Sequence, residues 1–158
     1  MRVNLRTATA DDAPELVLLR AAVHLDLASK YGKGFWLAGL TEKGVRFAMR
    51  TSTVYVARSE GGRLIATLTL STRKPWAIDK KYFGASPRPV YLTSMAVAPD
   101  EQRTGIGRLC VDEARRIVAA WPGDAIRLDA YDAPVGAGDF YRKCASARSA
   151  GQSIARPR

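Results

Sequence analysis

The first third of the chain alternates between strand-like and helix-like patterns of apolar and polar residues. Residues Val3 to Thr7 alternate with a period of two, which predicts a short strand. Apolar residues then recur at helical spacing and predict a helix from about Asp12 to Lys30. Thr41 has the side chain of a helix N-cap, so a second helix is predicted from there to about Met49.

The middle of the chain contains two segments rich in residues that favour strands. Thr53 to Ala57 and Leu64 to Ser71 each predict a strand, and Gly61-Gly62 between them supplies the flexible turn of a hairpin. A long connection from Arg73 to Pro89 follows. Connections of this length are either functional or disordered.

The second half of the chain predicts a strand, a helix, a strand and the start of another helix. The corresponding segments are Tyr91 to Ala98, Gly105 to Trp121, Ile126 to Ala130 and Ala137 to Lys143. A helix between two strands of one sheet implies that these strands are parallel. The pattern therefore predicts an α/β fold with a mixed, mostly antiparallel central sheet.

Composition limits the class of protein. The 158 residues suffice for one domain, and 47% apolar with 25% charged residues is typical of a soluble globular protein. No apolar run approaches the about 18–20 residues of a membrane span, and the N-terminus lacks the pattern of a secretory signal. Two cysteines and one histidine provide neither a disulfide framework nor a metal-ligand cluster. We therefore expect a cytoplasmic protein with reduced thiols, no metal and no membrane contact.

The net charge of the chain is strongly positive. There are 25 Lys and Arg against 15 Asp and Glu, which gives +10. This excess either serves solubility alone or attracts an anionic partner, such as a phosphorylated cofactor, an acidic substrate or nucleic acid. The basic residues are spread along the chain without the pattern of a known nucleic-acid module. We therefore predict no nucleic-acid partner, whereas a small anion remains open.

The most informative segment joins a predicted strand to a predicted helix, at residues 97–107. It reads Val-Ala-Pro-Asp-Glu-Gln-Arg-Thr-Gly-Ile-Gly. Pro99 ends the strand because it has no N–H for the sheet. Gly105 and Gly107 allow unusual dihedrals and a close approach of the backbone to a ligand. The following helix directs free N–H groups towards the bend, which suits an anion such as a pyrophosphate.

Three interpretations of this spacing compete. The two glycines alone are compatible with a simple tight turn. A dinucleotide-binding fold requires a third glycine at position 110, where the chain has Cys110. A phosphate loop requires Gly-Lys-Ser/Thr, which is absent here.

The complete segment resembles the acetyl-CoA-binding motif of the GCN5-related N-acetyltransferase (GNAT) family. The shared residues are Val-x-Pro followed by Gln-Arg-x-Gly-Ile-Gly. A second match is Ala137 to Lys143, which resembles the family's Ala-x-x-Phe-Tyr-x-Lys segment. The order of elements is similar to the family from Val3 to about Lys143, and it implies a GNAT-like fold with helices on both faces of the sheet.

The resemblance implies that acetyl-CoA is the acyl donor and that an amine is the acceptor. By analogy with the family, backbone amides hold the pyrophosphate at Gln102, Arg103, Thr104, Gly105, Ile106, Gly107 and Arg108. The pantetheine arm is expected along Met95, Ala96 and Val97, where a backbone N–H polarises the thioester carbonyl. Tyr141 matches the family's usual general acid, which protonates the departing thiolate.

The group that takes the proton from the amine is not identified by the sequence. Asp129, Tyr131 and Ser94 flank the expected cleft, and a water molecule is an alternative. His24 is more readily explained as a helix residue than as a base. Aromatic residues of the long connection either line an acceptor pocket or pack the loop onto the sheet, with packing favoured; they are Trp76, Tyr82 and Phe83.

The chain departs from the family after Lys143. Pro134 stands where the family has an asparagine that touches the cofactor. Residues 1–144 form the predicted acetyltransferase domain, and residues 145–158 form an atypical tail without the apolar residues of two further strands. In a GC-rich gene, codons for a family-like Gly-Phe-Arg-Glu-Val-Gly read one base out of frame spell Ala-Ser-Ala-Arg-Ser-Ala. A frameshift is therefore our hypothesis for the tail.

Missing C-terminal strands would leave the Ile126 strand as an unpaired edge, which invites association. We expect low stability, or a second copy of the chain covering that edge as a homodimer. The predicted function is acetyl transfer to an unknown amine, impaired if the tail is defective. The alternative is a non-enzymatic acyl-CoA-binding module, and the third candidate is a basic nucleic-acid-associated protein.

Overall fold

The protein consists of a single sheet with helices on both of its faces. The computed structural model describes residues 2–32, 41–76, 78–128, 138–146 and 153–155. Its helices are α1 (Ala13–Tyr31), α2 (Glu42–Thr51), α3 (Ile106–Ala120) and α4 (Gly138–Ser146). Its strands are β1 (Arg6–Thr7), β2 (Thr53–Arg58), β3 (Leu64–Ser71), β4 (Pro89–Val97), β5 (Ala125–Arg127) and β6 (Ser153–Ala155).

The strands are arranged in the order in which they occur along the chain. Neighbours from β1 to β4 are antiparallel, whereas β4, β5 and β6 run parallel to one another. The connection from β4 to β5 passes through α3, as a parallel crossover requires. The predicted α/β class with a mixed, mostly antiparallel sheet is therefore confirmed.

An ion-pair cluster fixes the start of α1 to the edge of the sheet. The buried Asp12 carboxylate accepts hydrogen bonds from Arg6 Nη2 at 2.6 Å, from Arg58 Nη2 at 2.8 Å and from the Thr9 N–H at 2.8 Å. Hydrogen bonding by Arg6 holds the pKa of this carboxyl far below its ordinary value. The helix start therefore depends on a charged Asp12.

Two apolar cores lie on opposite faces of the sheet. The core under α3 and α4 includes Leu68, Leu70, Val90, Leu92, Val111, Val118, Ile126 and Leu128. The core under α1 and α2 includes Leu16, Leu19, Val23, Val45, Val54 and Val56. Side chains alternate between the two faces along each strand, so the strands are buried on both sides.

The C-terminal edge differs from the expectation. The predicted unpaired edge at the Ile126 strand is wrong, because β6 pairs with β5 and places Ile154 opposite Ile126. One short strand therefore follows α4, although the sequence pattern after Cys144 favoured none. Three residues with one large apolar side chain give a weak hydrophobic signal, and only the pairing identifies them as a strand.

Candidate active site

Strand β4 pairs with β5 along only its first three residues. Their register joins Pro89 to Ala125, Val90 to Ile126 and Tyr91 to Arg127. Beyond Tyr91, β4 continues to Val97 beside β3, but it has no further pairing with β5 in the described residues. The second half of β4 therefore extends past the end of β5, and its edge away from β3 has no strand partner within the described residues; we call this edge the opening.

A bulge in β4 lies beside this opening. The register changes between Thr69–Thr93 and Thr67–Ala96, so that one residue of β3 faces two residues of β4. Ser94 occupies the bulge with a φ of 52°, a left-handed conformation that is uncommon outside glycine. The bulge returns Met95 to the core under α3 and Ala96 to the core under α1.

The last residues of β4 direct a backbone donor into the opening. The Ala98 N–H donates to Ile65 O of the β3 side at 2.8 Å. Successive residues of a strand direct their N–H groups to opposite edges. The Val97 N–H therefore lies on the edge where β5 would pair, at the level where β5 no longer does so.

The bend after β4 is held by side-chain hydrogen bonds. A short 3₁₀ turn covers Pro99–Glu101. Gln102 Nε2 donates to Val97 O at 3.1 Å, and Thr104 Oγ1 donates to Glu101 O at 2.6 Å. Two residues in left-handed conformations complete the bend, Arg103 with a φ of 62° and Gly105 with a φ of 93°.

This bend presents a row of backbone amides that have no acceptor in the part of the chain that the structure describes. The Gln102 N–H donates to Pro99 O at 3.4 Å, and the next backbone N–H with a recorded acceptor is that of Leu109, which donates to Gly105 O at 3.1 Å. Within the described ranges, the intervening N–H groups of residues 103–108 donate to no carbonyl. They lie at the N-terminus of α3, where the helix dipole also favours an anion. The exposed Arg103 and Arg108 add two positive charges.

Met95, which is expected along the pantetheine arm, and Phe140, which precedes Tyr141, lie close to this bend. A Cβ at Gly107 would lie 3.2 Å from Cζ of Phe140 and 3.8 Å from Cε of Met95. The ring of Phe140 also contacts Tyr141 edge to face, with 5.1 Å between ring centroids. The bend, the end of β4 and α4 therefore meet around Gly107.

Tyr141 lies inside the core that includes Met95, Ile106 and Cys110. Its side chain is largely buried, with 8% of the residue exposed. Burial raises the pKa of the phenol above its ordinary value, and Cys144 adds to the shift. The phenol is therefore fully protonated at neutral pH, as a proton donor must be.

The other candidates have different outcomes. Asp129, Tyr131 and Pro134 lie outside the described residues. Ser94 is exposed at the bulge, and His24 is half-buried in α1. The expected packing of Trp76 is wrong, since 94% of this residue is exposed.

Two features of the site were missed by sequence reasoning. The contact of Phe140 with Gly107 had only the Phe-Tyr motif as its signal, which drew attention to Tyr141 alone. The bulge at Ser94 depends on the register between β3 and β4, and no residue type in the segment indicates it. The bulge can be recognised only from the pairing of the two strands and not from their amino-acid composition.

Two further observations concern the described part of the chain. Those residues contain no group of three or more His, Cys, Asp or Glu side chains able to hold a metal ion. None of the described helices has the length and apolar character needed to cross a bilayer.

Comparisons with known proteins identify a family for the chain. The acetyltransferase (GNAT) family model matches residues 21–145. A tetramutant of the BH1408 protein from Bacillus halodurans is 25% identical, with a TM-score of 0.67 over 95% of this chain and 96% of that chain. A comparison with curated proteins gives no match.

Two further solved structures show the fold alone. A GNAT family acetyltransferase from Brucella melitensis, in complex with acetyl-CoA, is 18% identical with a TM-score of 0.61, over 90% of this chain and 80% of that chain. An aminoglycoside antibiotic 6'-N-acetyltransferase from Acinetobacter haemolyticus is 15% identical with a TM-score of 0.62, over 96% of this chain and 94% of that chain.

Proposed function

Because the chain belongs to the acetyltransferase (GNAT) family, we propose that it transfers an acetyl group from acetyl-CoA directly to a primary amine. The observation that carries this proposal is the row of free backbone N–H groups at residues 103–108, beside the opening between β4 and β5. The row suits a diphosphate, and the opening can accept an extended arm that leads from the bend towards Tyr141.

The bend binds the phosphates in this proposal. Backbone N–H groups of residues 103–108 donate to phosphate oxygens, and the dipole of α3 adds to the attraction. The amide of Gln102 contributes less than its neighbours because it already donates to Pro99 O. The Gln102 side chain instead supports the bend from below by donating to Val97 O.

The end of β4 binds the reactive arm. Met95, Ala96 and Val97 line the opening, where the arm takes the place of a paired strand. The Val97 N–H donates to the carbonyl oxygen of the thioester. This oxygen gains negative charge as the amine attacks, so the hydrogen bond is stronger in the transition state than in the ground state.

The chemical step exchanges one bond for another. The amine nitrogen forms a bond to the acetyl carbon, the bond from that carbon to sulfur breaks, and the electron pair stays on the sulfur. Tyr141 gives its phenolic proton to the thiolate, and the amine loses one proton to a base. Asp129, Tyr131, Ser94 and a water molecule remain the candidates for that base.

Titration and kinetics test this function together. Isothermal titration with acetyl-CoA measures binding, and the release of CoA thiol across a panel of amines measures turnover. We expect Tyr141→Phe to lower kcat by about 100-fold or more while the affinity for acetyl-CoA changes little. The matched control is Tyr31→Phe, which removes an exposed phenol at the end of α1. Unchanged turnover in Tyr141→Phe excludes this residue as the acid.

The alternative function is a non-enzymatic acyl-CoA-binding module. It uses the same row of amides but requires no proton donor. Binding of acetyl-CoA without thiol release from any amine favours this alternative, whereas absence of binding excludes both functions.

The setting of the protein is also a proposal. We place it in the cytoplasm, with residues 1–144 as the acetyltransferase domain and residues 145–158 as the atypical tail. Sequencing of the source gene tests the frameshift, which an intact frame without a family-like ending one base away would exclude. A homodimer remains a prediction, to be measured by sedimentation, although the pairing of β6 removes the open β5 edge from which it was derived.

A further inference from the structure

A second concave region lies at the other end of β4, away from the bend. It has a volume of about 560 Å³ and is formed where the connection between β3 and β4 folds over the sheet. Its lining includes Thr72, Lys74, Lys80, Phe83, Ser86 and Arg127. We call these residues the basic pocket.

The basic pocket contains a buried guanidinium that has no acidic partner among the described residues. Only 5% of Arg127 is exposed. Its Nη1 donates to the Tyr91 hydroxyl at 3.1 Å, its Nη2 donates to Gly84 O at 2.8 Å, and its Cζ lies 5.2 Å from the centroid of the Phe83 ring. All of these partners are neutral, so the charge of Arg127 is not compensated within the described residues. Burial of an uncompensated charge costs free energy, and a bound anion would neutralise this charge.

Two lysines beside Arg127 add further positive charge to the basic pocket. Lys74 Nζ donates to Pro75 O at 2.9 Å and to Ile78 O at 2.5 Å, so it too is bound by carbonyl groups. Lys80 makes no recorded ion pair in the described part of the chain. The carboxylate of Asp124 accepts from the Ser86 hydroxyl, and also from the Arg88 N–H at 3.2 Å, and no contact joins it to Arg127.

The basic pocket is within reach of the proposed reaction. Arg127 pairs with Tyr91, which is the last paired position before β4 and β5 separate. Along a strand, the four residues from Tyr91 to Met95 span about 13 Å. Arg127 also lies on the face opposite Ile126 and Leu128, hence on the side of α1 and α2. An acceptor that reaches both the thioester and this pocket would have to span about this distance.

A second buried guanidinium lies on the same face. Arg20 of α1 is 6% exposed, and its Nε and Nη2 atoms have no hydrogen-bond partner among the described residues. Arg20 and Arg127 therefore place two buried positive charges on this face, where the buried carboxylate of Asp12 is already paired with Arg6 and Arg58. A polycationic acceptor, such as an aminoglycoside, would be repelled from it.

We propose that the basic pocket binds an anionic oxygen group, a carboxylate or a phosphate, on the amine acceptor, and that Arg127 is its specificity-determining residue. The guanidinium has five N–H donors in a planar fork that matches such groups, and its recorded hydrogen bonds occupy two of them. This inference rests on the proposed function, because it names the class of acceptor for the same site.

Matched pairs of acceptors test the inference. Linear ω-amino acids of increasing length are compared with their amides, and aminoalkyl phosphates with the corresponding amino alcohols, by release of CoA thiol. We expect the charged member to have a kcat/KM about 10- to 100-fold higher, since a hydrogen bond to a charged group is worth more than one to a neutral group. The series with the larger ratio of kcat/KM between charged and neutral acceptor shows whether the pocket prefers a carboxylate or a phosphate.

Variants identify the residue that recognises the anion. Arg127→Met is expected to bring the ratio within each pair close to one. Arg116→Met is the matched control, because Arg116 is exposed on α3 and pairs with Glu113 at 2.6 Å. If Arg127→Met does not fold, Lys80→Met at an exposed position replaces it, with an expected drop in the ratio of a few fold. An unchanged ratio in the folded variant overturns the inference.

A binding measurement separates this inference from the proposed function. Glutarate and inorganic phosphate are titrated into protein saturated with CoA, so that the amides of the bend are already occupied. We expect one site that is lost in Arg127→Met and kept in Arg116→Met. Anion binding without any acetyl transfer refutes the proposed function but keeps the pocket. Acetyl transfer without anion binding or acid preference refutes the pocket and keeps the function.

Discussion

Gly107 offers the sharpest test of how the bend and α4 cooperate. Gly107 is the second residue of α3. A Cβ at this position would lie 3.2 Å from Cζ and 3.3 Å from Cε2 of Phe140, and 3.8 Å from Cε of Met95. Gly107→Ala therefore adds one methyl group where the bend, β4 and α4 meet, without removing any donor.

The expected magnitude has two parts. In the free protein, the Phe140 ring must shift by a few tenths of an ångström, and the cost is offset by the helix propensity of alanine, about 1 kcal/mol better than glycine. The free energy of unfolding should therefore change by less than about 1 kcal/mol. With a ligand in the opening, the ring has less room, and overpacking costs about 1–3 kcal/mol, or roughly 5- to 150-fold in Kd.

Two measurements on the same variant check this reasoning. Isothermal titration gives the Kd of acetyl-CoA, and urea unfolding gives the stability. Gly61→Ala is the control, because it lies in the turn between β2 and β3 and a Cβ there meets only Ser59 Oγ, at 3.9 Å. A folded Gly107→Ala variant with wild-type affinity would refute the view that the space beside Gly107 is needed by the ligand. A loss of several kcal/mol in stability would show that the glycine serves packing instead.

Three further predictions concern buried polar groups. Asp12→Asn should lower the free energy of unfolding, measured by urea unfolding, by about 2 kcal/mol. The loss is smaller than for a fully buried ion pair because the Arg6 partner is half exposed. Because the pKa of Asp12 is lowered on folding, its contribution is present above the unfolded value near pH 4 and is lost as the pH falls further, which acid titration of stability will show. Arg20→Met should raise stability by about 1–3 kcal/mol, because it removes a buried charge whose Nε and Nη2 have no hydrogen-bond partner among the described residues; lower stability would refute this reasoning. Burial raises the pKa of Cys110 to about 12 and also raises that of Cys144, so a disulfide reagent should label neither thiol rapidly until the protein unfolds.

Local patterns predicted most of the elements and the bend, because each depends on residues close in sequence. Leu64 to Ser71 is a strand with the expected bounds, and Thr41 caps α2 by accepting from the Gly44 N–H at 3.1 Å. The bend also follows from local features, a proline that ends β4 and Gly105 at a φ of 93°.

Features set by long-range pairing could not be predicted in the same way. The β6 pairing joins residues separated by α4, and the bulge at Ser94 arises from register with β3. Arg127 is the clearest case, since an arginine after an isoleucine in a strand indicates a solvent-facing position. It is buried because Phe83 and Gly84, far away in sequence, fold over it.

The short pairing between β4 and β5 affects how cooperatively the two parts of the sheet unfold. Within the described residues, three residue pairs connect the antiparallel part of the sheet to the parallel part, so few backbone hydrogen bonds cross that boundary. A ligand bound in the opening would contact the free edge of β4 and so connect the antiparallel part of the sheet with the parallel part. Binding would then make the two parts of the sheet unfold more cooperatively. At saturation with ligand, the slow amide hydrogen exchange of β3 would extend to amides in the C-terminal half of the chain.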